Sequence, residues 1–251
     1  MRIANRSWIS RLLGRMRSSL VNGLGMAAVP LRDREIIKQS QKYSMASARR
    51  LHANIEAVDY VISNGIDGSI VECGVWKGGG TMSMMLKLMD LGEERRDFFL
   101  FDTFSGMAGL SGFDEKNGMG NAETRRKFNR QQQGSKNDWC CAPLQEVKKN
   151  VQSIKYPADR IHYVVGDVRD TLPQTGVGEI AILRLDTDWY ESTKQELETL
   201  FPKLARGGVL IVDDYGAWKG AQKAVDEYFQ SQSRSIFLQY VDASGRMGIR
   251  Q

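Results

Sequence analysis

The sequence predicts an α/β fold with a mostly parallel β-sheet, because short apolar runs are followed by acidic or glycine-rich segments. Three such runs occupy 69–72, 181–185 and 208–212, and each is rich in branched aliphatic residues. Runs of this length and composition are typical of parallel strands that are buried on both faces. Segments with helical spacing of apolar residues alternate with these runs, as they do in α/β proteins.

The remaining elements follow from the spacing of apolar residues along the chain. Helices are predicted over 34–64, 81–91, 144–154, 190–204 and 218–231. Two more strands are expected over 98–102 and 161–165. The tail 235–250 predicts a hairpin that turns at 242–245 and adds an antiparallel edge to the sheet.

Length and composition favour one domain with a sizeable core. The chain has 251 residues, of which 41% are hydrophobic and 26% are charged. Its three cysteines, Cys73, Cys140 and Cys141, match neither a disulfide framework nor a zinc spacing, which predicts a reducing, cytoplasmic location. No apolar run reaches the roughly 18 to 20 residues that span a bilayer.

The net charge of +5 comes from a basic leader over 1–32, which holds six arginines and no acidic residue. The predicted domain, 33–251, has 29 basic and 30 acidic residues. Because this domain is nearly neutral and has no basic stripe interleaved with aromatic residues, nucleic acid is not an expected partner.

The leader has three open interpretations. If 8–20 is helical, its apolar residues share one face and its arginines lie opposite or beside it. Such a helix can pack on the domain or on a second subunit of a homo-oligomer. It can also place 1–30 in peripheral contact with an anionic membrane, or act as a targeting segment.

Four aspartates follow two of the predicted strands: Asp186 and Asp188 after one, Asp213 and Asp214 after the other. The ligand crevice of a parallel sheet lies at the carboxyl ends of its strands, so these side chains are expected to converge. A cation must offset their repulsion, and hard oxygen ligands suit Mg²⁺. The alternative is that some of them cap the following helices, which explains one aspartate per strand but not two.

A glycine-rich turn, Glu72-Cys-Gly-Val-Trp-Lys-Gly-Gly79, follows the first strand and leads into a helix. This order brings backbone N–H groups close to a ligand. The turn fits E-x-G-x-x-x-G and not the dinucleotide pattern G-x-G-x-x-G. Asp102, at the end of the next strand, lies where a βαβ unit places a carboxylate beside ribose hydroxyls. These features alone do not distinguish a binding site for NAD from one for S-adenosylmethionine (SAM).

Two further features concern the acceptor. The polar stretch 112–138 is long for a structureless loop, and we expect a lid over the substrate rather than a disordered segment. Four aromatic residues follow the acidic strand ends, and they either pack at the tops of helices or form a wall for a sugar or another ring. These residues are Trp189, Tyr190, Tyr215 and Trp218.

Five motifs in register resemble those of the TylF/macrocin O-methyltransferase family over roughly 42–229. They are Glu72-Cys-Gly-Val-Trp-Lys-Gly-Gly79, Phe101-Asp-Thr-Phe-Ser-Gly-Met107, Gly166-Asp-Val-Arg-Asp-Thr-Leu-Pro173, Leu183-Arg-Leu-Asp-Thr-Asp-Trp-Tyr-Glu-Ser-Thr193 and Pro202-Lys-Leu-Ala-Arg-Gly-Gly-Val-Leu-Ile-Val-Asp-Asp-Tyr215. The resemblance implies a class I SAM-dependent methyltransferase fold, Rossmann-like, with seven strands and a C-terminal antiparallel hairpin. It also implies Mg²⁺-dependent methylation of a hydroxyl, in known members on sugars of antibiotics and related natural products.

By the same resemblance, a SAM site forms from five parts of the chain. The methionine end lies against the glycine-rich turn and the ribose lies on Asp102, while Met45 closes over the cofactor. Asp167 and Val168 border the adenine. The other implied contacts are Glu72, Gly74, Trp76, Gly78, Gly79, Thr103, Ser105 and Asp186.

The resemblance also implies that Asp186, Asp213 and Asp214 hold the metal and that Asp188 is the general base. The chemistry of methyl transfer to a hydroxyl also fits a metal and a base. An alcohol is a poor nucleophile near neutral pH and needs a group that accepts its proton. Of the two histidines, His52 and His162, the latter lies inside a predicted strand, where a structural role is favoured over a catalytic one. Asp188 is therefore the best candidate.

The leading function is SAM- and Mg²⁺-dependent O-methylation of a sugar or glycosylated small molecule. One alternative is a catechol- or phenol-type O-methyltransferase with the same metal and SAM sites. Another is a non-catalytic SAM-binding subunit held at a membrane by the leader, which has no need of the four aspartates.

Overall fold

A computed structural model describes residues 27–134, 136–174, 176–232 and 236–251. Most of the predicted basic leader therefore lies outside the described residues. Its last residues belong to the domain, because Val29 is buried against Ile36, Ile37 and Leu51, and a helix begins at Leu31. Within the described residues, no helix is both long and apolar enough to cross a lipid bilayer.

A seven-stranded sheet forms the centre of the protein, as predicted. Its strands are β1 (Ser69–Cys73), β2 (Phe98–Asp102), β5 (Ile161–Val165), β6 (Ile180–Leu185), β7 (Leu204–Val212), β8 (Gln239–Tyr240) and β9 (Arg246–Ile249). The order across the sheet is β5-β2-β1-β6-β7-β9-β8. The first five strands are parallel, and the C-terminal hairpin of β8 and β9 adds an antiparallel edge.

Register brings the acidic strand ends to one level. Cys73 of β1 lies beside Leu185 of β6, which lies beside Val212 of β7. Backbone hydrogen bonds continue this alignment past the strands, from Asp186 N–H to the Cys73 carbonyl (2.8 Å) and from Asp213 N–H to the Leu185 carbonyl (2.9 Å). The residues after three neighbouring strands therefore share one edge of the sheet.

Helices cover both faces of the sheet. They are α1 (Leu31–Ser40), α2 (Ala48–Ser63), α3 (Gly79–Asp90), α4 (Asn121–Gln131), α5 (Leu144–Gln152), α6 (Val168–Thr171), α7 (Tyr190–Leu200) and α8 (Lys219–Ser231). One buried cluster joins α2, α3 and α5 to the sheet, and the other joins α6, α7 and α8 to it. The result is a three-layered α/β domain.

Two predicted helices differ from the observed ones. The single helix expected over 34–64 is wrong: a 3₁₀ turn and an extended Ser44 separate α1 from α2, and the Ser47 hydroxyl caps α2 by accepting from Arg50 N–H. The helix expected over 190–204 ends at Leu200, because the chain continues as a 3₁₀ turn that contains Pro202.

The polar stretch 112–138 has more structure than expected, since it contains α4 and the short hairpin β3 (Gln132–Gln133) and β4 (Lys136–Asn137). The buried Asp114 carboxylate fixes its first part, accepting from Ser111 N–H (2.6 Å) and from Tyr190 N–H (2.7 Å) at the start of α7. Its position beside the site is described below, and its action as a lid stays a prediction.

Candidate active site

A cavity of about 400 Å³ opens at the carboxyl ends of the parallel strands. Twelve of the predicted site residues line it: Met45, Glu72, Gly74, Trp76, Asp102, Thr103, Asp167, Val168, Asp186, Asp188, Asp213 and Asp214. Residues of the five motifs thus meet in one place, together with Met45. Met45 lies at the surface with 58% of its area exposed, in keeping with a position at the mouth.

Gly78, Gly79 and Ser105 do not line the cavity. A Cβ on Gly78 would lie 2.8 Å from Val151, and one on Gly79 would lie 2.6 Å from the Ser44 Cβ, so both glycines permit close packing behind the turn. Ser105 accepts Asn137 N–H through its carbonyl. These three residues support the walls, and direct cofactor contacts from them stay a prediction.

Two glycines allow the glycine-rich turn to approach the acidic residues. Gly74 has a φ of +84°, and a Cβ there would lie 1.9 Å from the Asp186 carbonyl oxygen. A Cβ on Gly80 would lie 2.2 Å from Oε1 of Glu72. Sequence reasoning missed Gly80, although it is the third of three consecutive glycines. A side chain at Gly74 would clash with the backbone of Asp186, and one at Gly80 would displace the Glu72 carboxylate.

The Asp102 carboxylate holds the glycine-rich turn to the end of β2. Its Oδ2 accepts from Val75 N–H (2.7 Å) and Trp76 N–H (2.9 Å), and its Oδ1 accepts from Phe104 N–H (2.7 Å). Burial raises its pKa, and these backbone donors oppose that rise. A carboxylate offers about four acceptor positions, and the Thr103 hydroxyl competes with any ligand for the one that the three backbone donors leave.

The predicted metal ligands lie together. Asp186, Asp213 and Asp214 each place a carboxylate oxygen within 4.8 Å of the other two. The alternative that they cap helices has no support in these contacts: Asp114 accepts the N–H at the start of α7, and Trp218, which precedes α8, makes no side-chain cap. Convergence at the crevice explains the whole set better than capping does.

Two arginines that sequence reasoning did not assign neutralise part of the cluster. Arg184 is buried, and its guanidinium donates to Glu72 (2.7 Å), Asp186 (2.7 Å) and Asp213 (2.5 Å). Arg50 donates to the other oxygen of Asp213. The available signal was a charged residue within a strand buried on both faces, because such a residue is rarely buried without a partner.

The cluster still carries excess negative charge. Two arginines face five carboxylates, which leaves a formal charge of −3 when all are ionised; the five are Glu72, Asp186, Asp188, Asp213 and Asp214. Burial and neighbouring carboxylates raise the pKa of Asp186 and of Asp214 well above the usual range. Hard oxygen donors with uncompensated charge fit a divalent cation such as Mg²⁺.

Asp188 is held in an unusual conformation beside this cluster. Its φ of +66° is in the left-handed region, and its backbone N–H donates to Asp214 (3.1 Å). Burial first, and then the charge of Asp186, raise the pKa of Asp188 to about 7. A carboxylate with such a pKa can accept and release a proton near neutral pH. His162, by contrast, lies outside the cavity and pairs with Asp97 (2.9 Å).

Three tryptophans form another part of the cavity wall. Trp139, Trp189 and Trp218 pack on one another with ring centroids 4.8 to 5.8 Å apart. All three line the cavity, although Trp189 and Trp218 are almost fully buried. Tyr190 and Tyr215 lie outside the lining. The two interpretations of the predicted aromatic residues thus divide: the tryptophans line the site, and the tyrosines pack outside it.

The family follows from comparison with known proteins. The chain matches the family described as Macrocin-O-methyltransferase (TylF) over residues 27–247. It belongs to the macrocin O-methyltransferase family. The resemblance found in the sequence is thereby confirmed, and the chain is a SAM-dependent O-methyltransferase rather than a non-catalytic binding subunit.

Two individual relatives are also named as O-methyltransferases. The chain is 31% identical over 206 residues to 8-demethyl-8-(2,3-dimethoxy-alpha-L-rhamnosyl)-tetracenomycin-C 4'-O-methyltransferase of Streptomyces olivaceus, covering 82% of this chain and 75% of that one. It is 32% identical over 188 residues to demethyldecarbamoylnovobiocin O-methyltransferase of Streptomyces niveus, covering 74% and 67%.

A solved structure also matches this member of the macrocin O-methyltransferase family. The O-methyltransferase NovP superposes with a TM-score of 0.72 at 30% identity, covering 83% of this chain and 82% of that one. Together with the strand order, this likeness confirms the class I SAM-dependent methyltransferase fold.

Proposed function

We propose that the enzyme transfers the methyl group of SAM to a hydroxyl of a sugar or glycosylated small molecule, with Mg²⁺ at the acidic cluster. One observation carries the proposal: the glycine-rich turn with Asp102 and the triad Asp186, Asp213 and Asp214 line the same cavity. A methyl donor and a hydroxyl acceptor can therefore occupy adjacent parts of one site.

SAM would occupy the half of the cavity beside β1 and β2. Glu72 and Gly74 would face the methionine end, Asp102 a ribose hydroxyl, and Asp167 with Val168 the adenine. SAM supplies a methyl group that is already activated on a sulfonium, so the protein's part is to orient the two reactants and exclude water. The buried tryptophan wall contributes to that exclusion.

The triad Asp186, Asp213 and Asp214 would hold the metal. A bound Mg²⁺ supplies Lewis-acid stabilisation of the developing alkoxide. Asp188 lies beside the triad and, with a pKa near neutrality, takes the proton from the acceptor hydroxyl. Asp213 has a second role, because both of its oxygens accept from arginines. Its loss would remove one carboxylate partner from each of Arg50 and Arg184 as well as a metal ligand.

The acceptor class rests on the relatives. The tetracenomycin enzyme acts, by its name, on a compound that carries a rhamnosyl group. A sugar hydroxyl is accordingly the acceptor that we propose for this chain, and a phenol is the acceptor against which it must be tested.

The test is methyl transfer from SAM to a panel of glycosides and to catechol, with product mass as the readout. We expect glycoside methylation that excess EDTA abolishes and added Mg²⁺ restores, while SAM binding persists in EDTA. Asp214→Asn should lose the Mg²⁺ response, and the exposed Asp159→Asn should not. Methylation of catechol alone, or full turnover by metal-stripped enzyme, would refute the proposal.

A further inference from the structure

Two lysines in the cavity wall lack an anionic partner. Lys116 and Lys127 both come from the stretch 112–138, and both line the cavity. Neither ammonium forms an ion pair with a carboxylate anywhere in the part of the chain that the structure describes. Other lysines do: Lys219, for example, pairs with Glu115, the residue next to Lys116.

Both lysines are held against the tryptophan wall. The Lys127 Nζ lies 3.7 Å from the Trp139 ring centroid, and the Lys116 Nζ lies 5.4 Å from that of Trp218. The two rings are themselves only 5.8 Å apart. Contact with an aromatic face positions an ammonium without neutralising its charge. The two positive charges therefore remain available to a ligand.

The two ends of the cavity differ in charge. At its acidic end, the guanidiniums of Arg50 and Arg184 are already bound to carboxylates. Among the described residues that line the cavity, the cations without a carboxylate partner are therefore Lys116 and Lys127, which lie at the tryptophan wall. Lys116 and Asp188 line the same cavity. A ligand bound by this lysine would lie close to the proposed base.

We propose that the acceptor sugar carries an anionic group, a phosphate or a carboxylate, and that Lys116 and Lys127 bind it. This inference rests on the proposed function, since it describes the acceptor of the same reaction. An ammonium is a compact donor that suits either anion, and two of them at one wall would orient the acceptor hydroxyl towards Asp188.

Calorimetric titration of the enzyme saturated with S-adenosylhomocysteine and Mg²⁺ tests the inference. The probes are rhamnose and glucose, each as neutral methyl glycoside and as 1-phosphate, and methyl glucuronide as the carboxylate. We expect one anionic class to bind at least about tenfold more tightly than the matched neutral glycoside, with the preference falling as salt rises. Whether the phosphate probes or the carboxylate probe bind more tightly identifies the anionic group of the acceptor.

Variants show whether the lysines cause the preference. Lys116→Gln and Lys127→Gln should each weaken binding of the preferred anionic probe about tenfold, and Lys127→Arg should retain most of it. Lys136→Gln, an exposed lysine of the same stretch that does not line the cavity, is the control. Unchanged affinity for S-adenosylhomocysteine in all variants shows that the fold and the cofactor site are intact.

Three binding results would overturn the inference: equal binding of charged and neutral probes, no binding of any charged probe, or a charge preference that survives both glutamine variants. These results differ from failure of the proposed function. Methylation of neutral glycosides at rates that neither variant changes would remove the anion site and leave the sugar O-methyltransferase in place. If no glycoside is methylated but the anionic probes still bind, the anion site remains and the proposed sugar O-methyltransferase function fails.

Discussion

Replacing Arg184 by methionine should destabilise the metal-free enzyme strongly and in a pH-dependent way. The side chain is 1% exposed and donates to three carboxylates at 2.5 to 2.7 Å. Methionine keeps much of the length but removes the charge, which leaves Glu72 and Asp213 buried without that partner. Breaking a buried ion pair by removing one member costs about 3 to 5 kcal/mol.

The direction of the pH dependence follows from the carboxyl groups. Burial already raises the pKa of Glu72 and of Asp186, and the positive charge of Arg184 opposes that rise. Without Arg184 these pKa values rise further. A carboxyl with a raised pKa in the folded state contributes stability below the unfolded value, near pH 4, and that contribution is lost as the pH rises through the folded pKa. The deficit of the variant should therefore be larger at pH 8 than at pH 5.

Urea unfolding in EDTA at these two pH values measures the deficit, with Arg206→Met as a control because Arg206 is exposed on the neighbouring strand β7. We expect the control to stay within about 0.5 kcal/mol of the wild type. A deficit for Arg184→Met below about 1 kcal/mol at pH 8, or one equal at both pH values, would show that protonation and not Arg184 neutralises the cluster.

Three other predictions concern the cofactor, the base and the leader. Asp102→Ala should weaken SAM binding by roughly 1 to 3 kcal/mol in calorimetry, because it removes a ribose acceptor and releases the glycine-rich turn; unchanged affinity would move the ribose elsewhere. Asp188→Asn should lose on the order of 10² to 10⁴ in rate while binding SAM and Mg²⁺ normally, and loss of Mg²⁺ would make Asp188 a ligand. Deleting 1–26 should leave a folded, SAM-binding core, and co-sedimentation with anionic liposomes, sedimentation mass and melting temperature distinguish an anchor from a subunit contact; identical behaviour of both forms would exclude both roles.

The sheet and the acidic edge could be predicted because their signals are local. A strand buried on both faces is mostly apolar, and parallel strands end at one edge, so the positions of Asp186 and Asp213 followed from their place after such runs. The C-terminal hairpin was predictable from its alternation and its turn residues.

The parts that were not predicted depend on tertiary contacts. The break between α1 and α2 has no glycine or proline to mark it and is fixed by the Ser47 cap. Helix α4 is almost entirely polar, so it has no apolar periodicity to detect. The roles of Arg184 and of Lys127 are visible only once distant segments place carboxylates around the first and Trp139 beside the second.

Anomalous diffraction from crystals grown with Mn²⁺ and S-adenosylhomocysteine tests the central claim most directly, because Mn²⁺ prefers the same oxygen ligands as Mg²⁺ and scatters anomalously. The account predicts one strong peak bound by Asp186, Asp213 and Asp214, next to the cofactor sulfur and within reach of Asp188. A cofactor in the cavity with no metal peak at these three carboxylates, or a peak at another site, would contradict it.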